Sequence, residues 1–132
     1  MKHSVGLTLA LTLIVSTAAA RDTTGRLVGK WTAHSMRYRG ESRPVPKGIK
    51  VLLEFVKDGS FIGTVEATLK DGRVERKVER GSWEARGTTL ITTTTKAGKK
   101  KVEEVLFELK GDALTLTNQA RGGEQLLLKR NR

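Results

Sequence analysis

Between Gly29 and Arg130 the chain repeats one pattern: a short run in which apolar and polar residues alternate, closed by a connection that contains Gly or Asp. A period of two is what a strand with one buried face requires, whereas an amphipathic helix repeats every 3.6 residues. Phe61, Gly63, Val65, Ala67 and Leu69 fall on one face of such a run, opposite Ser60, Thr64, Glu66 and Thr68. Val51, Leu53 and Phe55 align in the same way, as do Val105, Phe107 and Leu109, then Leu114 with Leu116, and Leu126 with Leu128. The connections (Lys57-Asp58-Gly59, Lys70-Asp71-Gly72, Arg86-Gly87, Lys96 to Lys100, Lys110-Gly111-Asp112 and Gln119 to Gly123) are of hairpin length. Gly and Asp tolerate the positive φ of tight hairpin turns.

Eight segments result, at about 29–38, 49–56, 60–69, 73–85, 88–95, 101–109, 113–118 and 124–130. One apolar face per strand and hairpin connections throughout predict an all-β, eight-stranded antiparallel up-and-down barrel around a single core. The fourth segment is ambiguous, because Val74 and Val78 share a side in a helix as well as in a strand. The short turns on either side favour the strand. For Val74, Val78 and Trp83 to point the same way the alternation must slip once, which predicts a bulge at Gly81. Gly29-Lys30-Trp31 and Gly81-Ser82-Trp83 lie 52 residues apart, as do Phe55 and Phe107, a faint echo of an internal repeat.

The first twenty residues follow other rules. Met1-Lys2-His3 is a short positive start, Val5 to Val15 is almost wholly apolar, and Ala18 and Ala20 stand in a small-x-small arrangement before Arg21. This is the pattern of a cleavable signal peptide, and the apolar run is shorter than the roughly 20 residues of a membrane-spanning helix. Cleavage after Ala20 is expected, leaving residues 21–132 as one domain that is secreted or periplasmic and not an integral membrane protein. The chain has no cysteine, so an exported domain of this sequence is held by packing and sheet hydrogen bonds alone. Its net charge of +11 falls by only one unit with the loss of Lys2, an excess that attracts anionic partners.

Leu27-Val28-Gly29-Lys30-Trp31 opens the first strand, and this Gly-x-Trp resembles the signature of lipocalins and the wider calycin group. The ordered set of Val51 to Gly59, Gly81 to Trp83, Gly111 to Leu116 and Lys129-Arg130 extends the resemblance over nearly all of residues 21–132, toward small exported bacterial lipocalin-like proteins of unassigned function. The resemblance implies that Trp31 closes one end of the barrel beneath a basic residue from the far end of the chain, here Arg130, with Gly29 and Trp83 as further structural positions. A Thr-Asp-Tyr motif between the sixth and seventh strands, a disulfide and a long helix after the barrel are missing, so no ligand transfers from the classical family.

Catalytic chemistry has little support. His34 is the only histidine after the leader, and alternation places it on the face opposite Trp31. Asp58, Asp71 and Asp112 sit in expected turns, and Glu103, Glu104 and Glu108 read as the solvated side of their strand. With no cysteine and one histidine a transition-metal site is not expected, nor is a cofactor, and the reading is of a protein that is not an enzyme. Gly63, Ala67, Ala33 and Ser35 are small residues on expected inward faces, where they leave room for a ligand or for larger neighbours. Alternate loops of an up-and-down barrel share an end. The loops after the first, third, fifth and seventh strands carry Arg39, Arg43, Lys47, Lys70, Lys96, Lys99, Lys100 and Arg121, with Arg73 and Lys101 at the strand edges. A mouth ringed by Arg39, Arg43, Lys47, Lys70, Arg73, Lys99, Lys100 and Arg121 suits a small anionic or amphiphilic molecule. The alternative is an exterior site for a polyanionic surface. No specific nucleic acid is expected, because only Tyr38, between Arg37 and Arg39, interleaves an aromatic with the basic residues.

Overall fold

The computed structural model describes residues 25–131; the leader read from residues 1–20 lies outside them. A helical turn at 25–27 leads into nine strand segments: β1 (Gly29–Tyr38), β2 (Glu41–Pro44), β3 (Ile49–Phe55), β4 (Ser60–Thr68), β5 (Val74–Arg86), β6 (Thr89–Lys96), β7 (Lys99–Lys110), β8 (Ala113–Asn118) and β9 (Glu124–Arg130). Every pairing is antiparallel, and β1 closes the sheet on β9. The result is an eight-stranded barrel. β2 adds no stave of its own. It pairs with the far half of β1 while β3 pairs with the near half, so the two act as one interrupted strand. The polar run Glu41-Ser42-Arg43-Pro44 has no apolar alternation to betray a strand.

The turns at 39–40, 69–73, 97–98 and 119–123 gather at one end, and those at 56–59, 87–88 and 111–112 at the other. The second end is closed. Leu27, Trp31, Phe55, Leu90, Leu114 and Leu128 are almost completely buried there, and each contributes roughly 1.5–3 kcal/mol by leaving water. Phe55 stands edge-on to Trp83 with ring centres 5.3 Å apart and tilts against Phe61 at 5.5 Å. Both buried indoles keep a hydrogen-bond partner: Trp31 Nε1 donates to the Leu27 carbonyl and Trp83 Nε1 to that of Val56, each at 2.9 Å. Gly29 has a φ of +136°, and a Cβ on it would stand 2.8 Å from Arg130 Nη1. Only glycine lets the guanidinium pass at this point.

Three details differ from the sequence reading. No bulge occurs at Gly81: β4 and β5 pair without interruption from Thr68↔Val74 to Ser60↔Ser82, and β5 and β6 from Gly81↔Thr94 onward. Val74 and Val78 therefore face outward, and Lys77 and Glu79 share the inner face with Trp83. The slip in alternation is instead in β1, between Ala33 and Ser35. It turns Ser35 outward and brings Met36 inside. Lastly, the Gly-x-Trp echo is not a structural repeat, because β1 and β5 run in opposite directions.

Candidate functional site

Above the closed end the interior opens into a cavity of about 380 Å³. Its walls follow from extending each inward face toward the mouth. On β7 the inward residues run Phe107, Val105, Glu103, and on β6 Leu90, Thr92, Thr94. On β8 they run Leu114, Leu116, Asn118, opposite Leu128, Leu126 and Glu124 of β9. On β5 Trp83 is followed by Gly81, Glu79 and Lys77. These walls begin apolar and turn polar after one or two inward steps. The β3–β4 wall differs, staying apolar through Leu53, Gly63, Val51 and Val65 up to the lip. The cavity therefore has an apolar floor, one apolar side and one charged side.

The charged side carries both signs. Glu103 and Glu124 are half-buried, while Lys77, Glu79 and Arg121 are exposed. Lys101 Nζ approaches Glu103 Oε1 at 2.9 Å. That hydrogen bond, and then the Glu103 charge, hold the Lys101 ammonium above its usual pKa; Glu79 adds to the effect and Arg121 opposes it. Glu79, Lys101, Glu103 and Arg121, from three different elements, thus act on one region at the mouth. Glu103 is not on the solvated side of its strand, as the sequence suggested, but on the cavity wall.

A shallow groove joins the cavity between the β1–β2 hairpin and the 3₁₀ turn Gln119–Arg121, sharing Met36, Arg121 and Glu124 with it. Arg43 lies there, opposite Met36 in the β1–β2 ladder and 3.6 Å from Glu41. Of the eight cations read as the mouth, Arg121 lines both spaces and Arg43 the groove. The other six lie outside the cavity lining. The Arg39 guanidinium stacks on Tyr38, 5.2 Å from the ring centre, and Arg73 pairs with Asp71 at 2.5 Å. Lys47 and Lys70 are exposed, as are Lys99 and Lys100, which β7 takes up beside a turn at 97–98. Gly63 lines the cavity. Ala67 shares its face nearer the lip but falls outside the lining. Exposed His34 sits at the β1 bulge, its Nδ1 3.2 Å from Ser35 Oγ.

The sequence held the signal for the residues missed. Glu103 stands two before Val105, Glu124 two before Leu126, Asn118 two after Leu116 and Glu79 four before Trp83. Carrying each inward face past its last apolar residue finds all four.

This architecture has counterparts among solved structures. A lipocalin-like protein from Bacteroides uniformis superposes with a TM-score of 0.56 at 21% identity, over 80% of this chain and 98% of that one. An uncharacterized protein from Bacteroides eggerthii gives 0.56 at 16%, over 80% and 99%. The barrel has a lipocalin-like fold. No family model matches the sequence, and no curated protein aligns with it significantly.

Proposed function

We propose that this chain is an exported, non-enzymatic binding protein whose barrel takes up a small amphiphilic molecule with an anionic group at its head. The observation that carries this reading is the division of the cavity into an apolar floor and a charged mouth. At about 380 Å³ it falls in the roughly 300–1,000 Å³ range of small-molecule sites. An apolar tail fits against Leu53, Phe61, Leu90, Val105, Leu116 and Leu126, and an anion fits Lys77 and Arg121. Because Glu79, Glu103 and Glu124 share that wall, a head that also donates hydrogen bonds is held better than a bare carboxylate, whose oxygens only accept. Native mass spectrometry of protein purified from its own host tests the proposal. A co-purifying amphiphile lost on Val105→Phe supports it, and empty protein that also fails to bind added amphiphiles refutes it. Intact-mass analysis of the same material tests export, with residues 1–20 expected to be gone.

A second reading, an exterior polyanion-binding module, is favoured by the six predicted cations that line neither the cavity nor the groove. Its mark is steep salt dependence.

A further inference from the structure

We propose that the open edge of β5 is a docking site for an extended, acidic polypeptide segment that joins the sheet as an added strand. The inference does not rest on the cavity's ligand. β5 pairs with β4 along residues 74–82 but with β6 only from Gly81 onward. Above that point the β4–β5 and β6–β7 hairpins separate, and among the described residues no strand pairs with the far side of 74–80. The cause is local. A Cβ on Gly81 would lie 1.8 Å from the Thr93 carbonyl oxygen, so this is where β5 presses against β6 before turning away.

The β4–β5 hydrogen bonds fix which backbone groups face the slot. Leu69 N–H donates to Arg73 O at 2.7 Å and Trp83 N–H to Gly59 O at 2.9 Å, both toward the β4 side. In an antiparallel strand the N–H and C=O of one residue point the same way, and successive residues alternate. The odd-numbered residues therefore bond β4, and Val74, Arg76, Val78 and Arg80 turn their N–H and C=O groups to the open side. Such an edge is a template for strand addition.

The side chains say what kind of strand fits. Val74 and Val78 are 56% and 43% exposed on the outer face of β5, and Val102, across from Thr93 on the other wall, is 59% exposed. An incoming strand meets apolar surface on its outer face at alternate positions. Its inner face meets Lys77, Glu79 and Lys101, and Arg76 and Arg80 alternate with the valines on the outer face. The flanking stretches 74–80 and 95–103 together hold seven Lys or Arg against three Glu. Acidic residues alternating with apolar ones complement both features, whereas a second copy of this chain brings like charge against like.

The test uses a short acetylated peptide of alternating valine and glutamate, labelled for fluorescence anisotropy, and a control peptide N-methylated on the amides that would bond β5. Hydrogen exchange in the free protein should show fast amides at Arg76, Val78 and Arg80 beside slow ones at Lys77 and Glu79, and the peptide should slow the fast set. The N-methylated peptide should bind about tenfold or more weakly. Val78→Pro, which removes a slot-facing N–H and leaves the β4 ladder intact, should weaken binding to a similar degree. Protection of Arg76, Val78 and Arg80 in the free monomer would overturn the proposal, since the edge would already be paired. Equal binding of the N-methylated peptide also overturns it, by showing capture of polyanions in general. So does protection that appears only on dimerisation. The exchange and N-methyl measurements use the unaltered protein, so they decide the matter even where Val78→Pro fails to fold.

Discussion

Arg130 caps Trp31: its guanidinium carbon stands 4.3 Å from the centre of the indole, while Nη1 donates to the Val28 carbonyl at 2.7 Å and Nη2 to that of Arg26. Nε approaches Asp112 at 3.4 Å. One side chain thus ties the end of the last strand to the segment that enters the first, over a fully buried Trp31. Trp31→Ala should cost roughly 3–5 kcal/mol, as large aromatic truncations do. Arg130→Met keeps the apolar stem but loses the charged fork, and should cost roughly 2–4 kcal/mol from its hydrogen bonds and ring contact. Urea denaturation followed by tryptophan fluorescence measures both. A Trp31→Ala midpoint close to that of the parent would refute the capped end.

Gly81→Ala and Gly63→Ala make a controlled pair. At Gly81 the new methyl meets backbone, the Thr93 carbonyl at 1.8 Å; at Gly63 it meets the tip of the Phe61 ring at 3.3 Å. Backbone in a paired strand cannot step aside, while a ring end yields by a few tenths of an ångström. Gly81→Ala should cost roughly 1–3 kcal/mol or more by overpacking, and Gly63→Ala less than about 1 kcal/mol. The prediction fails if thermal denaturation ranks the two the other way.

These glycines also show what the sequence could and could not disclose. Strand count, turn positions and the closed end were legible, because alternation and turn chemistry are local. The bulge was not. Placing it at Gly81 assumed that Val74 and Val78 must be buried, yet in unbroken register they lie on the outer face of β5, in solvent. The true slip, next to His34, involves no glycine, and it arises where β1 must pair with β9 on one side and β2 on the other. The mouth was legible as a place but not in its chemistry: cations were counted from loops, whereas the cavity's charges come from strand residues such as Glu79 and Glu103, one step beyond the apolar run.

Asp58 gives a pH test. Its carboxyl is held below the usual range by the Ser60 hydroxyl and then by the Ser60 amide, whose nitrogen is 2.8 Å from Oδ1. A carboxylate favoured by folding adds stability above its unfolded-state pKa, and that stability is lost as pH falls through the lower folded value. Asp58→Ala should therefore be less stable than the parent at neutral pH, with the gap narrowing on acidification below about pH 5. Paired denaturation curves at several pH values check the sign; a gap that widens in acid contradicts it.

The last prediction separates a ligand inside the barrel from one on its surface. Val105 lies half-buried on the cavity wall opposite Leu90, so Val105→Phe adds bulk to the space and leaves the exterior unchanged. Charge reversal at Arg43 and Arg121 alters the groove and mouth, whereas reversal at Lys70, Lys99 and Lys100 alters only the exposed hairpin tips. An amphiphile held by the cavity should be lost with Val105→Phe, weakened by the Arg43/Arg121 change and indifferent to the lysines. Its affinity should fall only modestly between 50 and 200 mM salt, because screening weakens the exposed head contact but little affects the buried apolar area. A polyanion on the surface should show the opposite pattern, insensitive to Val105→Phe, weakened by loss of the lysines and falling steeply over the same salt range as counterion release is suppressed. Overpacking at Val105 should itself cost roughly 1–3 kcal/mol, so binding is compared at a temperature where circular dichroism shows both proteins folded. Amphiphile binding that survives Val105→Phe in folded protein places the ligand outside the barrel.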